Sequence, residues 1–269
     1  MTALSKHLTA YLPTTSAQVA RLLIYQLTRE PIETVGDWLT TDWGRARIKG
    51  RIGQRHADVM EIMQRTALQV HVKKDGCVNL LVDPHIIRKG LTTGKQRRRT
   101  SKRILAPLYS AQGLEALIDG LRDADVEWEL KNGLRGGVTK IIKDREWAKV
   151  SAPDPLHPNQ GRQLWKITLS SQWVALTGNI ALWYDPTAIV RMNNGISQAI
   201  ARLLLGHDRK KWYGQKLALE EAFDQMKIPR GQARWDAKRR VRQDADGFLV
   251  YGLEIAGDHV INVQTGTDA

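Results

Sequence analysis

Basic side chains gather in three short segments of this 269-residue chain, and closely spaced cations are the chemistry that binds phosphate groups. The whole chain carries 41 Lys and Arg residues against 28 Asp and Glu residues, which gives a formal net charge of +13. A surplus of this size favours a polyanionic partner, most often nucleic acid. The alternative is a basic surface that serves only to keep the protein soluble.

The first basic segment has the spacing of a strand. Arg45, Arg47 and Lys49 alternate with small or apolar residues, and a period of two places them on one face of a strand. We predict that this face contacts a phosphate backbone while the other face rests on a core. An edge strand that carries charge to prevent aggregation would show the same pattern.

The second basic segment is predicted to be a loop. It follows Gly94 and contains no acidic residue between positions 95 and 103. Such runs are typical of flexible arms that contact phosphates without reading bases. The residues expected to make these contacts are Arg97, Arg98, Arg99 and Lys102.

The third basic segment, residues 230–243, has the spacing of a helix. Four cations recur every four residues and form what we call the cationic stripe: Arg230, Arg234, Lys238 and Arg242. Ala237 and Val241 lie in an apolar row beside the stripe, and Pro229 suits the entry to a helix. The pattern predicts a helix with one cationic side and one narrow apolar side.

Arg and Gln side chains can bond bidentately to guanine and adenine edges in the major groove of DNA. We therefore expect the beginning of this helix to meet base edges through Arg230, Gln232, Arg234 and Lys238. Arg239 and Arg242 would contact phosphates. This interpretation requires the cationic stripe to face away from the protein interior and from the protein's own carboxylates. The alternative is an exposed helix with a surplus of cations.

Apolar periodicity places these segments in an α+β fold. In the first half, helices are predicted over 57–72, 85–88 and 110–123, and strands over 77–82, 126–130 and 138–143. In the second half, strands are predicted over 163–169, 248–254 and 260–263, and helices over 196–204, 217–226 and 230–243. In a winged helix, several helices are followed by a β-hairpin, and the third helix lies in the major groove of DNA. Both halves of the chain show this order of elements.

The proline-rich stretch 151–158 is predicted to be a loop and a domain junction. The expected organisation is an N-terminal extension over residues 1–40, which carries a short helical pattern, and two tandem winged-helix domains over 41–152 and 160–269. Trp165, Trp173 and Trp183 are expected to pack in the core, and Trp235 to stack on a partner or anchor the cationic helix.

Residues for catalysis or for a cofactor are not evident in the sequence. The single cysteine, Cys77, excludes an internal disulfide and any multi-cysteine metal centre, and the seven histidines show no metal-ligand spacing. Gly94-Lys95 lacks the other residues of a phosphate-binding P-loop. We expect no enzyme activity, no metal and no cofactor. The chain has no long apolar run or signal peptide, so we expect a cytoplasmic protein without a membrane partner.

Several motifs in the second half resemble the TrfA-type plasmid replication initiators. They are GRQLWKITL (161–169), WVALTG (173–178), LWY (182–184), SQAIARLL (197–204) and GFL (247–249). In that family, a Gly-Arg-x-x-Trp strand leads into a Val-Ala-Leu-x-Gly turn. A helix, a Leu-rich helix, an Arg-rich helix and a Gly-Phe-Leu strand then follow. A weaker likeness extends upstream to about residue 45, and residues 1–40 are not covered.

The resemblance implies two tandem winged helices that recognise repeated DNA sites (iterons) at a plasmid origin, help to open the duplex and recruit host replication proteins such as the helicase. It places one recognition helix at 230–243 and the other at 110–123. The helix at 110–123 carries Glu115, Asp119 and Asp123, whose negative charges would repel the phosphates of DNA. We therefore predict that the second domain reads bases. The first domain would supply backbone contacts from the basic loop or a homodimer surface.

Three other functions are compatible with the same sequence. A winged-helix transcriptional repressor would share the fold without opening an origin. A DNA-processing enzyme such as a nickase would need a nucleophile, for which Tyr184 and Tyr213 are the candidates. A chromatin-like structural protein would bind DNA without sequence preference.

Overall fold

The computed structural model describes residues 12–92, 109–131, 133, 135–153, 161–178, 180–207 and 214–263. The helices are α1 (Ala17–Arg21), α2 (Gln54–Thr66), α3 (Pro84–Leu91), α4 (Ala111–Asp123), α5 (Ser171–Gly178), α6 (Thr187–Arg191), α7 (Gly195–Leu205), α8 (Leu219–Gln225), α9 (Gln232–Gln243) and α10 (Ala245–Leu249). The strands are β1 (Thr15–Ser16), β2 (Thr34–Thr41), β3 (Gly44–Gly50), β4 (Gln69–Val72), β5 (Val78–Val82), β6 (Asp125–Leu130), β7 (Gly136–Lys140), β8 (Ile142–Pro153), β9 (Gly161–Leu169), β10 (Ala181–Leu182), β11 (Lys216–Ala218), β12 (Leu253–Ala256) and β13 (His259–Asn262). The predicted α+β class is confirmed.

The first part of the fold packs helices α2, α3 and α4 against one another and against two four-stranded sheets. Asp83 caps α3 and Ser110 caps α4, each through its side-chain oxygen. Leu114, Ile118 and Leu121 of α4 are fully buried, as the helical periodicity predicts. One sheet has the strand order β2-β3-β6-β7, and the other has the order β4-β5-β9-β8.

The predicted helix over 57–72 is too long at its C-terminal end. It ends at Thr66, and Val70 lies in strand β4 instead. The chain leaves the helix because β4 pairs with β5, which opposes Val70 to Leu80. Long-range pairing has therefore overridden the local apolar period.

The predicted domain boundary between residues 152 and 160 falls inside a hairpin. Strand β8 continues to Pro153, which pairs with Gly161 at the start of β9. Residues 154–160 lie outside the described part of the chain. Strand β9 then pairs with β5 of the first part, opposing Leu80 to Ile167. The strand predicted to open the second domain thus belongs to the first core, because its buried side chains face that core.

A second hydrophobic core begins near Ile189 and is formed by α7, α8, α9 and a three-stranded sheet of order β11-β13-β12. The predicted hairpin is present, with its turn at Gly257. The predicted strand over 248–254 is wrong in its first half, because residues 245–249 form helix α10. Phe248 of this helix is fully buried. The strand itself begins only at Leu253.

The predicted N-terminal extension is part of the fold from residue 12 onward. Strand β1 pairs with β10, and helix α1 packs on α5 and α7. Arg21 donates to the carbonyl of Gly206, and Arg29 donates to the carbonyl of Met192. The helical pattern that extends to residue 27 stops at Arg21, because Leu23 adopts a positive φ of 53°. This segment therefore ties the first part of the fold to the second.

A buried polar cluster joins the two parts of the molecule at the contact between α2 and α7. The guanidinium of Arg202 donates to both carboxylate oxygens of Glu61, at 2.7 and 2.9 Å, to Asp58 at 2.8 Å and to Gln54 at 2.7 Å. The hydroxyl of Tyr184 also donates to Glu61. Because Arg202 and its three acceptors are buried and bonded to one another, the cluster fixes one part of the fold against the other.

Candidate nucleic-acid interface

Strand β3 lies inside its sheet, between β2 and β6, so it is not the edge strand that one interpretation predicts. Its cations face the acidic residues of β6 across the ladder. Arg45 bonds to Glu129 at 2.6 Å, and Arg47 bonds to Glu127. Lys49 is paired in register with Asp125.

On this sheet face, two of the three β3 cations therefore form ion pairs with β6, whereas Asp125 forms its ion pair with Lys140 of β7. The expectation that Arg45, Arg47 and Lys49 form a cationic phosphate-binding strand is not met by Arg45 and Arg47, whose guanidinium groups pair with Glu129 and Glu127, and stays a prediction for Lys49. The guanidinium groups of Arg45 and Arg47 also lie 4.6 and 5.0 Å from the ring centre of Trp38, which holds them against the sheet.

The predicted phosphate-contacting loop lies outside the described residues. Those positions are Arg97, Arg98, Arg99 and Lys102.

Helix α9 forms where the third basic segment predicts it. Gly231 precedes it with a φ of 83°, a conformation that favours glycine and lets the chain turn sharply out of Pro229. Ala237 and Val241 are buried against the second core, as their spacing predicts. These small apolar residues decide which side of the helix faces inward.

The cationic stripe faces the protein's own carboxylates along most of its length. Arg234 is only 8% exposed, donates to the carbonyl of Ile228 and forms ion pairs with Glu220 and Asp224 of helix α8. The prediction that Arg234 meets base edges is therefore wrong. Its guanidinium is enclosed because it lies next to the buried row of α9.

Lys238 and Arg242 continue the same side of the helix. Lys238 bonds to Glu220 at 2.8 Å and to Asp258 at 2.9 Å, so the expectation that it reads bases is also wrong. Arg242 bonds to Asp258 at 2.6 Å but keeps 52% of its side chain exposed. The hairpin turn supplies Asp258, so the stripe ties α9 to α8 and to the β12–β13 hairpin.

The pKa shifts reflect this mutual neutralisation. Hydrogen bonds from Lys238 and Arg234 lower the pKa of Glu220, and the bond from Arg234 lowers the pKa of Asp224. The bonds to Glu220 and Asp258 raise the pKa of Lys238 in turn. These groups are charged in the folded protein, and each favours the ionised form of its partner.

The opposite side of α9 faces solvent and is polar. We call it the outer face; its residues are Gln232, Trp235, Asp236, Arg239 and Gln243. Trp235 is 58% exposed, and the Arg239 side chain is 55% exposed. Gln232 donates to Asp236, and Arg239 donates to the same carboxylate. Arginine, glutamine and an exposed indole are the side chains that bond to or stack on nucleic-acid bases.

Further cations border the outer face. Arg230 and Arg240 are exposed at the two ends of the helix, beside the half-exposed Arg242. Such placement suits phosphate contacts on either side of a groove.

The sequence contains the signal for the outer face. Ala237 and Val241 mark the buried side of a helix, and the positions opposite that row are Gln232, Arg239 and Gln243. The cationic stripe lies only about 100° from the row and so falls at its margin. The carboxylates of Glu220 and Asp224, which neutralise the stripe, come from the preceding helix.

The exposed side of helix α4 in the first part of the fold is acidic. Arg122 bonds to Asp119 and Asp123 on the same helix, and Arg145 of β8 reaches Asp119. The neighbouring cations are thus occupied by these acids, and the helix presents no unopposed positive surface among the described residues.

Tyr184 lies in the buried cluster at the α2–α7 contact. Burial, followed by the charge of Glu61, raises the pKa of Tyr184 well above its ordinary value. A phenol held protonated and enclosed in this way is not placed to act as a nucleophile. Tyr213 lies outside the described residues.

The predicted tryptophan core is only partly correct. Trp165 and Trp173 are buried, but Trp183 is 47% exposed, because it follows the short strand β10 at the surface. Within the described ranges, no group of three or more His, Cys, Asp or Glu side chains is placed to hold a metal ion. None of the helices in those ranges has the length and apolarity to cross a bilayer.

No protein-family model matches the chain, and no curated protein matches it in sequence. The crystal structure of RctB domains 2–3 (RctB-155-483) is similar to this chain with a TM-score of 0.46 and 12% sequence identity, over 91% of this chain and 94% of that chain.

Proposed function

We propose that this chain is a sequence-specific, double-stranded DNA-binding replication initiator without catalytic activity of its own. The observation that carries the proposal is the outer face of α9. It presents Gln232, Trp235 and Arg239 to solvent, while Arg230 and Arg240 border it. Helix α9 is 12 residues long, and a helix that presents these polar and aromatic side chains fits the major groove of DNA.

The second part of the fold supports this use of α9. Its order is α7, β11, α8, α9, the short helix α10, then the hairpin β12–β13, and β11 pairs with the last strand. We infer that this part is a winged helix, in which the third helix enters the major groove and the hairpin lies beside the backbone. The ion pairs of the cationic stripe hold α9 and the hairpin in a fixed relation.

The contacts that follow differ from those predicted from sequence. Gln232 and Arg239 meet base edges, because they lie on the outer face near the start and middle of the helix. Arg230, Arg240 and Arg242 contact phosphates. Arg234 and Lys238 hold the helix in place and do not touch DNA.

The role as an initiator rests on the family resemblance of the motifs between residues 161 and 249. The resemblance implies binding to repeated sites at a plasmid origin and recruitment of host helicase or other replisome proteins. The protein would act as a monomer or as a homodimer. The runner-up is a winged-helix transcriptional repressor, which would bind one site through the same helix.

Selection of bound duplexes from a random DNA pool tests the DNA-binding proposal. We expect one directional sequence to be enriched. Recovery of no preferred sequence would overturn sequence-specific binding and would instead support a chromatin-like binder.

Permanganate footprinting on a supercoiled plasmid that carries repeats of the selected sequence separates an initiator from a repressor. An initiator exposes unpaired thymines beside the repeats when the protein is added. A repressor protects the sites and leaves every thymine paired. Cleavage of one strand in the same reactions would favour a nickase and contradict the absence of catalysis.

A further inference from the structure

The single acidic residue of helix α9 lies on the surface proposed to meet DNA. Asp236 accepts a hydrogen bond from Arg239 Nη2 at 3.0 Å through Oδ1 and from Gln232 Nε2 at 3.3 Å through Oδ2. Both donors are the proposed base readers. A carboxylate on a DNA-facing surface repels phosphates and lowers non-specific affinity, so its presence there requires a compensating role.

Arg239 is held from two directions. Its guanidinium bonds to Asp236 and lies 5.3 Å from the ring centre of Trp235. Among the described residues, no other carboxylate forms an ion pair with Arg239. The N–H groups that Asp236 does not use therefore remain available while the position of the guanidinium is fixed.

This arrangement differs from that of the cationic stripe. Arg234 bonds to two carboxylates and a carbonyl and is enclosed. Arg239 bonds to one carboxylate, and 55% of its side chain is exposed. Asp236 thus orients the guanidinium through one hydrogen bond and leaves its other N–H groups available.

We propose that Asp236 is a positioning residue for base recognition, which deepens and rests on the proposed DNA-binding function. It holds Arg239 in the orientation that bonds to the O6 and N7 atoms of a guanine, and it holds Gln232 beside an adjacent base. Fixing both long side chains before binding reduces the rotamer entropy that is lost in the complex. The ligand is a duplex with a guanine at the position facing Arg239.

The test compares Asp236→Ala and Asp236→Asn with the wild-type chain on the selected duplex, on its single-base variants and on an unrelated duplex. Discrimination at the base pair read by Arg239 falls by about tenfold in both variants. Affinity for the unrelated duplex rises, because a negative charge has been removed. A residue with only a structural role would lower both affinities together and lower the melting temperature.

Two controls complete the experiment. Asp236→Glu retains the carboxylate and recovers part of the discrimination. In an Arg239→Ala background, Asp236→Ala causes no further loss at that base pair, because the residue it orients is gone. Unchanged discrimination in Asp236→Ala and Asp236→Asn would overturn the role of Asp236 while leaving the proposed function intact. If the wild-type chain itself selects no duplex, the proposed function and this inference both fail.

Discussion

Arginine meets carboxylate in two contrasting places in this protein. At the contact between α2 and α7, Arg202 is buried to 4% exposure and bonds to Glu61, Asp58 and Gln54. On the outer face of α9, Arg239 bonds to Asp236 in contact with solvent. The ion-pair chemistry is the same, but the surroundings differ.

That difference determines what each arginine does. Removing charges from water is costly, so a buried arginine needs a full set of acceptors and becomes a fixed part of the fold. An exposed ion pair contributes little to stability, and its unused donors are available to a partner. Burial raises the pKa of Glu61, and the charge of Arg202 opposes that rise. The ionised form of Glu61 is therefore favoured by the presence of Arg202.

The largest expected effect is at the buried arginine. Arg202→Met leaves Glu61 enclosed without a cation and leaves Asp58 with only its longer ion pair to Arg55, so we expect the free energy of unfolding to fall by about 3–5 kcal/mol. Urea denaturation measures it. Arg122→Ala, which removes an exposed guanidinium on α4, is the matched control and changes the value little. Equal effects from the two variants would remove the distinction between buried and exposed arginines.

Lowering the pH should reduce the free energy of unfolding through His56, which lies on α2, the helix that also carries Asp58 and Glu61. Burial and then the charge of Arg51 lower the pKa of His56 to about 4, and its Nδ1 accepts a hydrogen bond from the Gly53 amide. Between pH 6.5 and 4 the unfolded chain binds a proton that the folded chain excludes. Stability is therefore complete above pH 6.5 and is lost as the pH falls, by on the order of 3 kcal/mol at pH 4.

The control for this pH dependence is His56→Asn, which retains an acceptor for Gly53 but does not titrate. Its unfolding free energy, measured by denaturation at a series of pH values, should vary less between pH 6.5 and 4 than that of the wild type. Parallel curves for the two proteins would contradict the assignment to His56.

The exposed arginine should affect recognition more than folding. Arg239→Ala reduces discrimination at one base pair by about 1–3 kcal/mol and leaves the melting temperature almost unchanged. Arg234→Ala does the opposite: it lowers the melting temperature because Glu220 and Asp224 lose their partner, and it preserves the base preference of the protein that remains folded. Competition binding and thermal denaturation of both variants check this reversal.

The smallest effect is expected on strand β3. Arg47→Ala removes an exposed ion pair with Glu127 and lowers the free energy of unfolding by about 0.2–1 kcal/mol. Because Glu127 already occupies the guanidinium of Arg47, we expect affinity for DNA to stay the same on any duplex. A uniform loss of DNA affinity, measured by fluorescence anisotropy, would restore β3 as a phosphate-binding strand.

The sequence predicts local structure well where one periodicity dominates. The strand at Arg45–Lys49, helix α4 and helix α9 all occur, because apolar side chains at regular spacing need a buried side in any fold. The same reasoning placed β9 in the wrong part of the molecule. An alternating pattern predicts which side of a strand is apolar, but it does not predict which strand will pair with that strand.

Composition and spacing are local properties, so they were enough to predict a basic α+β protein with an arginine-rich helix near its end. Which of those arginines are available to a partner depends on the side chains that folding brings beside them. The carboxylates that neutralise the cationic stripe come from α8 and from the hairpin turn, which packing brings beside α9. A cation is free or occupied according to its neighbours in space, and Arg239 and Arg234 differ for that reason alone.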